Sequence, residues 1–191
     1  MKKVITSTGR CGTSFLMQLL TNCGLNTGYT PEEAEHEINR IDGLNAGIEH
    51  SITGPKIAKA EWIKNPKWFA VGDLKVLLDR FQIETIFVPV RNLRSTALSR
   101  KNCSENVHAE YGGYWMGARD ERSQMCVNAE LFYDFIQFCL AESISYVLID
   151  FDRMMNDGLY LYEKLELSNY VGFEGFLNNY LDLVDHKKIR F

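Results

Sequence analysis

The stretch TSTGRCGTSFL, Thr6–Leu16, grows out of the β-branched run KVITS (Lys3–Ser7) and runs into an apolar helical pattern from Thr13 to Cys23. A strand, a glycine-bearing turn and a helix start make the frame of a phosphate-binding loop, because the helix N-terminus offers unpaired N–H groups and a positive dipole end to an anion. When Gly12, Thr13 and Ser14 are laid on the Gly-Lys-Ser/Thr of a nucleoside triphosphatase loop, the opening glycine falls on Ser7 and the lysine on Thr13. That lysine normally reaches the β and γ phosphates, so its loss weakens a triphosphate reading in particular. Gly9 and Gly12 allow close backbone approach, and Arg10 brings a guanidinium into the turn in the lysine's stead. The expected ligand is a single terminal anionic group; the bland alternative is a tight turn in which Thr13 or Ser14 caps a helix. A cysteine phosphatase loop around Cys11 is disfavoured, because Met17 stands where its arginine would be.

The rest of the chain supports an α/β reading. Two more apolar runs, ETIFVPV (Glu84–Val90) and SYVLIDF (Ser145–Phe151), read as strands buried on both faces, and KWFAVGD (Lys67–Asp73) is a weaker strand candidate. Helical patterns cover Thr13–Cys23, Leu74–Phe81, Leu93–Lys101 and Ser123–Glu142, the last with Met125, Ala129, Phe132, Phe135, Ile136 and Cys139 on one stripe. Alternating strands and helices predict a three-layer domain with a central, mainly parallel sheet. At 191 residues, one domain over residues 1–191 is expected. Asn26–Trp68 and Asn102–Arg122 read as irregular segments following strand ends, where such sheets place ligands.

Composition narrows the classes. A net charge of −4 gives no overall basic excess for a nucleic-acid partner. No apolar run reaches the roughly 20 residues that span a bilayer, so membrane insertion is not expected. The five scattered cysteines form no CxxC or Cys/His cluster, which reads as reduced thiols in a cytoplasmic protein without a metal site. Oligomeric state is not legible.

A second motif follows the strand ETIFVPV: RNLRSTALSR, with Arg91 at the strand end and Ser99 eight residues later. With the GRCGTS loop, it resembles the sulfotransferase family, whose donor is 3′-phosphoadenosine 5′-phosphosulfate. The resemblance implies a P-loop-like fold in which Gly9, Arg10, Cys11, Gly12, Thr13 and Ser14 bind the 5′-phosphosulfate and Arg91 with Ser99 binds the 3′-phosphate. VLIDFDRMMND (Val147–Asp157) adds a weaker similarity to a late strand, acidic segment and helix of these enzymes. A magnesium-free donor without a γ-phosphate suits a loop that lacks the lysine. Arg10 is then expected to stabilise the departing phosphate. The acceptor is a hydroxyl or amine on a small molecule, carbohydrate, lipid or peptide. A P-loop kinase or nucleoside triphosphatase with a degenerate loop, and a non-catalytic nucleotide-binding module, are the alternatives.

For the base, Glu32 or Glu33 in YTPEEAEHEINR lies at a distance from the loop similar to that of the catalytic glutamate of protein-tyrosine sulfotransferases. Thr30, Pro31, Glu32 and Glu33 equally read as a helix cap and acidic first turn. His36 and His50 are further candidates, and Lys56 and Lys59 could reach donor phosphates or mark an exposed strand. Asp150 and Asp152 close a strand, with helix capping by Asp152 as the simpler role. The basic tail HKKIRF could approach the nucleotide or be a frayed end.

Overall fold

A computed structural model describes residues 1–40, 47–105 and 113–184; the HKKIRF tail lies outside them. Four strands, β1 (Lys2–Ile5), β2 (Trp62–Lys64), β3 (Ile83–Val90) and β4 (Tyr146–Asp150), form one sheet in the order β2-β1-β3-β4. Every pairing is parallel, with Val4 opposite Ile63 on one side and Ile86 on the other. The expected α/β class holds.

Side-chain alternation along the strands explains the three layers. Ile5, Trp62 and Phe87 point to one face, where they pack with Leu16, Leu20, Met154, Leu161 and Phe176. Val4, Ile63, Ile86 and Val88 point to the other, against Phe69, Leu74, Leu131 and Phe135. The first face is covered by α1 (Thr13–Asn22), α2 (Pro31–Asn39) and the C-terminal helices α7 (Phe151–Asn156), α8 (Gly158–Lys164) and α9 (Phe173–Leu183). The second is covered by α4 (Val71–Leu78) and the long α6 (Glu121–Ala141), on which α5 (Leu93–Glu105) packs.

Chain order positions the site. From β1 the chain moves to one edge of the sheet, then crosses back to β3 on the other side of β1. The connections leaving β1 and β3 therefore diverge onto opposite faces, and the ends of these strands are the place where doubly wound sheets bind ligands.

Several expectations need correction. KWFAVGD is not a strand: Pro66–Phe69 is a 3-10 turn and Val71 begins α4, while the edge strand is the three-residue Trp62–Lys64 just upstream. The proline supplies a turn-ready φ at the start of Pro66–Phe69, and Asn65 caps it by accepting from the Lys67 amide at 2.9 Å. The segment read as irregular also holds α2 and α3 (Pro55–Lys59), so Lys56 and Lys59 belong to a short helix and not to a strand. On α6 the buried stripe is Gln124, Asn128, Leu131, Phe135 and Cys139, with Ala129 exposed. The stripe is displaced because Gln124 and Asn128 are buried as a pair, Nε2 donating to Oδ1 at 2.9 Å, and an apolar pattern cannot reveal that. The cap of α7 is Asp150, whose carboxylate accepts from the Arg153 amide at 2.8 Å; Asp152 is one residue inside the helix.

Candidate functional site

The loop between β1 and α1 is built for close approach. Gly9, Arg10 and Gly12 all adopt left-handed backbone, with φ of 77°, 57° and 83°. Arg10 has a Cβ and no glycine's freedom, so its neighbours must hold it there. Two strand-end hydroxyls help: Thr6 donates to the Asn65 carbonyl at 2.9 Å and Ser7 to the Pro89 carbonyl at 2.7 Å. The loop is thereby fastened to the ends of both strands that flank β1.

The two motifs meet. Arg10 Nε donates to Ser99 Oγ at 3.1 Å, and Arg91 Nη1 donates to the Arg10 carbonyl at 3.2 Å. The Arg91 guanidinium lies 4.7 Å over the Phe151 ring, and burial holds its pKa below the usual value. Cys11 is buried, its Sγ 3.1 Å from the Gly9 carbonyl and 3.8 Å from Thr96 Oγ1 on α5. Thr13 and Ser14 open α1 with no side-chain cap on its amides, the arrangement in which first-turn N–H groups can receive an anion. The structure thus gathers Gly9, Arg10, Cys11, Gly12, Thr13, Ser14, Arg91 and Ser99 around one loop.

Two cations that sequence reading passed over complete the surroundings. Lys64, the last residue of β2, has a side chain only 1% exposed. Its Nζ donates to Ser14 Oγ at 3.0 Å and to the Gly47 carbonyl at 2.7 Å, with Glu49 Oε1 at 3.4 Å. Burial lowers its pKa, with Glu49 opposing the shift and Arg10 adding to it. A lysine absent from the loop is therefore delivered to the start of α1 by the neighbouring strand. His50 fixes that delivery: its amide donates to the Lys64 carbonyl, the Lys64 amide donates to His50 Nδ1 at 3.1 Å, and the remaining ring nitrogen faces the Thr27 carbonyl at 2.9 Å. Burial pulls the His50 pKa down to about 4, so the ring is neutral and acts as a positioning group.

Arg100 on α5 is the second. It is 4% exposed, donates to the Thr8 and Gly113 carbonyls, and lies 4.5 Å over the Trp115 ring. Its Nε has no hydrogen-bond partner among the described residues, and burial lowers its pKa to about 10. Gly9 is a glycine for a second reason here, since a Cβ would stand 2.3 Å from Arg100 Nη2. Elsewhere the protein neutralises its buried cation: Lys3 holds both Glu61 and Glu84, at 3.3 and 3.1 Å. Around the loop, Lys64 has one half-exposed carboxylate and Arg100 has none among the described residues. Buried positive charge without matching carboxylates favours an anion as the missing counterpart.

The α2 carboxylates stand apart from this cluster. Thr30 caps α2, and Glu33 completes the capping box by accepting from the Thr30 amide while pairing with Lys56 at 2.8 Å. Both carboxyls are held low, Glu33 chiefly by Lys56 and Glu32 by its own amide and Thr30. Glu32 and His36 line a shallow groove of ≈ 380 Å³ with Glu35, Asn39 and Arg40.

Neither a protein-family model nor a curated protein matches the chain. Among solved structures it is similar to the sulfotransferase domain from the Synechococcus PCC 7002 olefin synthase, with a TM-score of 0.56 and 14% identity, over 94% of this chain and 76% of that one. The fold is accordingly that of a P-loop-like sulfotransferase domain.

Proposed function

We propose that the protein is a sulfotransferase that moves a sulfuryl group from 3′-phosphoadenosine 5′-phosphosulfate to a hydroxyl or amine. The observation that carries this reading is the direct bond between Arg10 of the first motif and Ser99 of the second, with Arg91 on the Arg10 carbonyl. Residues some 80 to 90 positions apart in sequence join in one cationic crevice, as a ligand carrying two separate anionic groups requires. The donor fits the residues present, because among the described residues the buried Lys64 has one half-exposed carboxylate beside it and the buried Arg100 donates only to backbone carbonyls.

In this reading the amides at Gly12 to Ser14 and the Lys64 ammonium bind the 5′-phosphosulfate. Arg91 and Ser99 bind the 3′-phosphate through charge-assisted bonds. Arg10 stabilises charge that develops on the departing phosphate, an interaction that grows toward the transition state and so lowers the barrier. Glu32 and Glu33, the carboxylates that the resemblance suggested for the base's role, are both held low, which is weak for that work, and Glu33 is also committed to Lys56. The acceptor is a small molecule, carbohydrate, lipid or peptide.

Calorimetry with adenosine 3′,5′-bisphosphate and adenosine 5′-phosphate tests the assignment. Arg91→Ala should weaken the bisphosphate by about 1.5 to 3 kcal/mol and barely affect the monophosphate, and Arg10→Ala should cut turnover by about 10² with a much smaller effect on binding. Equal losses for both nucleotides would make Arg91 a support of the loop through the Arg10 carbonyl. Thermal stabilisation by magnesium ATP alone would return the chain to triphosphate chemistry.

A further inference from the structure

We propose that Glu49 is the proton acceptor of the transfer, and that the Lys64 ammonium is shared between Glu49 and the anion held at the start of α1. The inference rests on the sulfuryl-transfer reading and assigns the chemistry on its acceptor side. Lys64 Nζ bridges the two groups, with Ser14 Oγ at 3.0 Å on the loop side and Glu49 Oε1 at 3.4 Å on the other. Glu49 is therefore one ammonium group away from the helix start, while 44% of its side chain remains exposed to an arriving acceptor.

The pair is loose in a way that suits this role. The ammonium sits closer to the Gly47 carbonyl, 2.7 Å away, than to the carboxylate, so Glu49 is not consumed by the ion pair. Glu33, by contrast, has its carboxylate committed to Lys56 and to the Thr30 amide. The backbone beneath Glu49 is fixed, because the Tyr29 hydroxyl donates to its carbonyl at 3.0 Å and the next residue, His50, is bonded to Lys64 in both directions. A carboxylate on a pinned backbone beside a pinned lysine has the positional definition that general-base work requires.

The step balances simply. Glu49 takes the proton of the acceptor hydroxyl while that oxygen bonds to sulfur. The bond from sulfur to the bridging oxygen breaks, and its electron pair leaves on the phosphate, toward which Lys64 and Arg10 direct their charge.

Glu49→Gln and Glu49→Asp separate this role from a structural one. Removing a carboxylate that competes for Lys64 should tighten adenosine 3′,5′-bisphosphate about 3- to 10-fold by calorimetry, a result that a supporting role would not produce. Donor consumption with water or a simple alcohol should fall by about 10² in Glu49→Gln and recover in part in Glu49→Asp. With p-nitrophenol at an alkaline pH where it is already ionised, no base is needed and the two variants should match the wild type within about threefold. Unchanged or weaker nucleotide binding in Glu49→Gln, or the same loss of rate with both kinds of acceptor, overturns the assignment. If the wild type binds no bisphosphate, or consumes no donor with any of these acceptors, the transfer reading falls and this inference with it. Undiminished turnover in Glu49→Gln overturns the role of Glu49 alone.

Discussion

Gly9→Ala and Gly24→Ala form a matched pair. The two glycines share nearly the same backbone, φ 77° and 79°, so the cost of placing a Cβ in left-handed geometry, about 1 to 2 kcal/mol, is common to both. Their surroundings differ. A Cβ on Gly24 meets nothing within 4 Å, whereas one on Gly9 meets Arg100 Nη2 at 2.3 Å. The guanidinium has little room to yield, with the Trp115 ring 4.5 Å away on one side and the Thr8 and Gly113 carbonyls as acceptors. Displacing it gives up at least one hydrogen bond from a charged donor, about 1.5 to 3 kcal/mol. Gly24→Ala should thus cost about 1 to 2 kcal/mol and Gly9→Ala about 3 to 5 kcal/mol. At about 2 to 4 °C per kcal/mol for a chain of this size, the gap corresponds to a Tm difference of roughly 3 to 12 °C. Urea and thermal denaturation followed by circular dichroism measure it, and the same pair made on Arg100→Ala supplies the control. There the gap should shrink to a few tenths of a kcal/mol, since contacting residues couple and separated ones add. Equal losses from the two alanines, or a gap that survives without Arg100, would refute the claim that this guanidinium is wedged against the loop.

Lys64→Met should leave stability within about 1 kcal/mol of the wild type or above it, because replacing a buried cation by an apolar group of similar size is often neutral or better. Calorimetry should meanwhile show a loss of adenosine 3′,5′-bisphosphate affinity of about tenfold or more; a fall in stability above about 3 kcal/mol would make Lys64 a structural cation. His50 gives stability a pH dependence of defined sign. Its folded pKa, about 4, lies below the ordinary imidazole value of 6.5, so the unfolded chain binds the extra proton first. The contribution is complete above pH 6.5 and is lost as pH falls toward 4, by roughly 3 kcal/mol in all. His50→Gln should flatten that segment of the stability profile, and an unaltered profile would assign the acid sensitivity to other groups.

Much of the candidate cluster was legible because the residues it brings together are written in local spacing. The turn after β1 and the eight-residue interval from Arg91 to Ser99 are contiguous patterns, and the pairing of β1 with β3 brings them together. Lys64 and Arg100 were illegible for a physical reason. A lysine in a strand or an arginine in a helix reads as solvated by default, and its burial depends on partners 50 and 92 positions away, at Ser14 and Thr8. The strand that carries Lys64 was missed as well, because three residues flanked by Glu61 and Asn65 show too little alternation to register. On α6 the apolar stripe misled, since Gln124 and Asn128 are buried with a hydrogen bond from Nε2 to Oδ1, which an apolar pattern does not register.

The distribution of cations along the chain also ties the proposed anion site to the history of folding. The loop sequence is complete by Ser14, yet Lys64 reaches it only when β2 has docked beside β1, and Arg91, Ser99 and Arg100 only when β3 and α5 are in place. Contacts of such long sequence separation form late, after the loop-closure entropy has been overcome. A nascent or truncated chain ending before Arg91 would carry the phosphate-loop motif with few of its charges, and so little grip on an anion. Under the proposed function, nucleotide affinity would be a property of the finished topology, and ligand binding during refolding should appear with the last kinetic phase rather than the first.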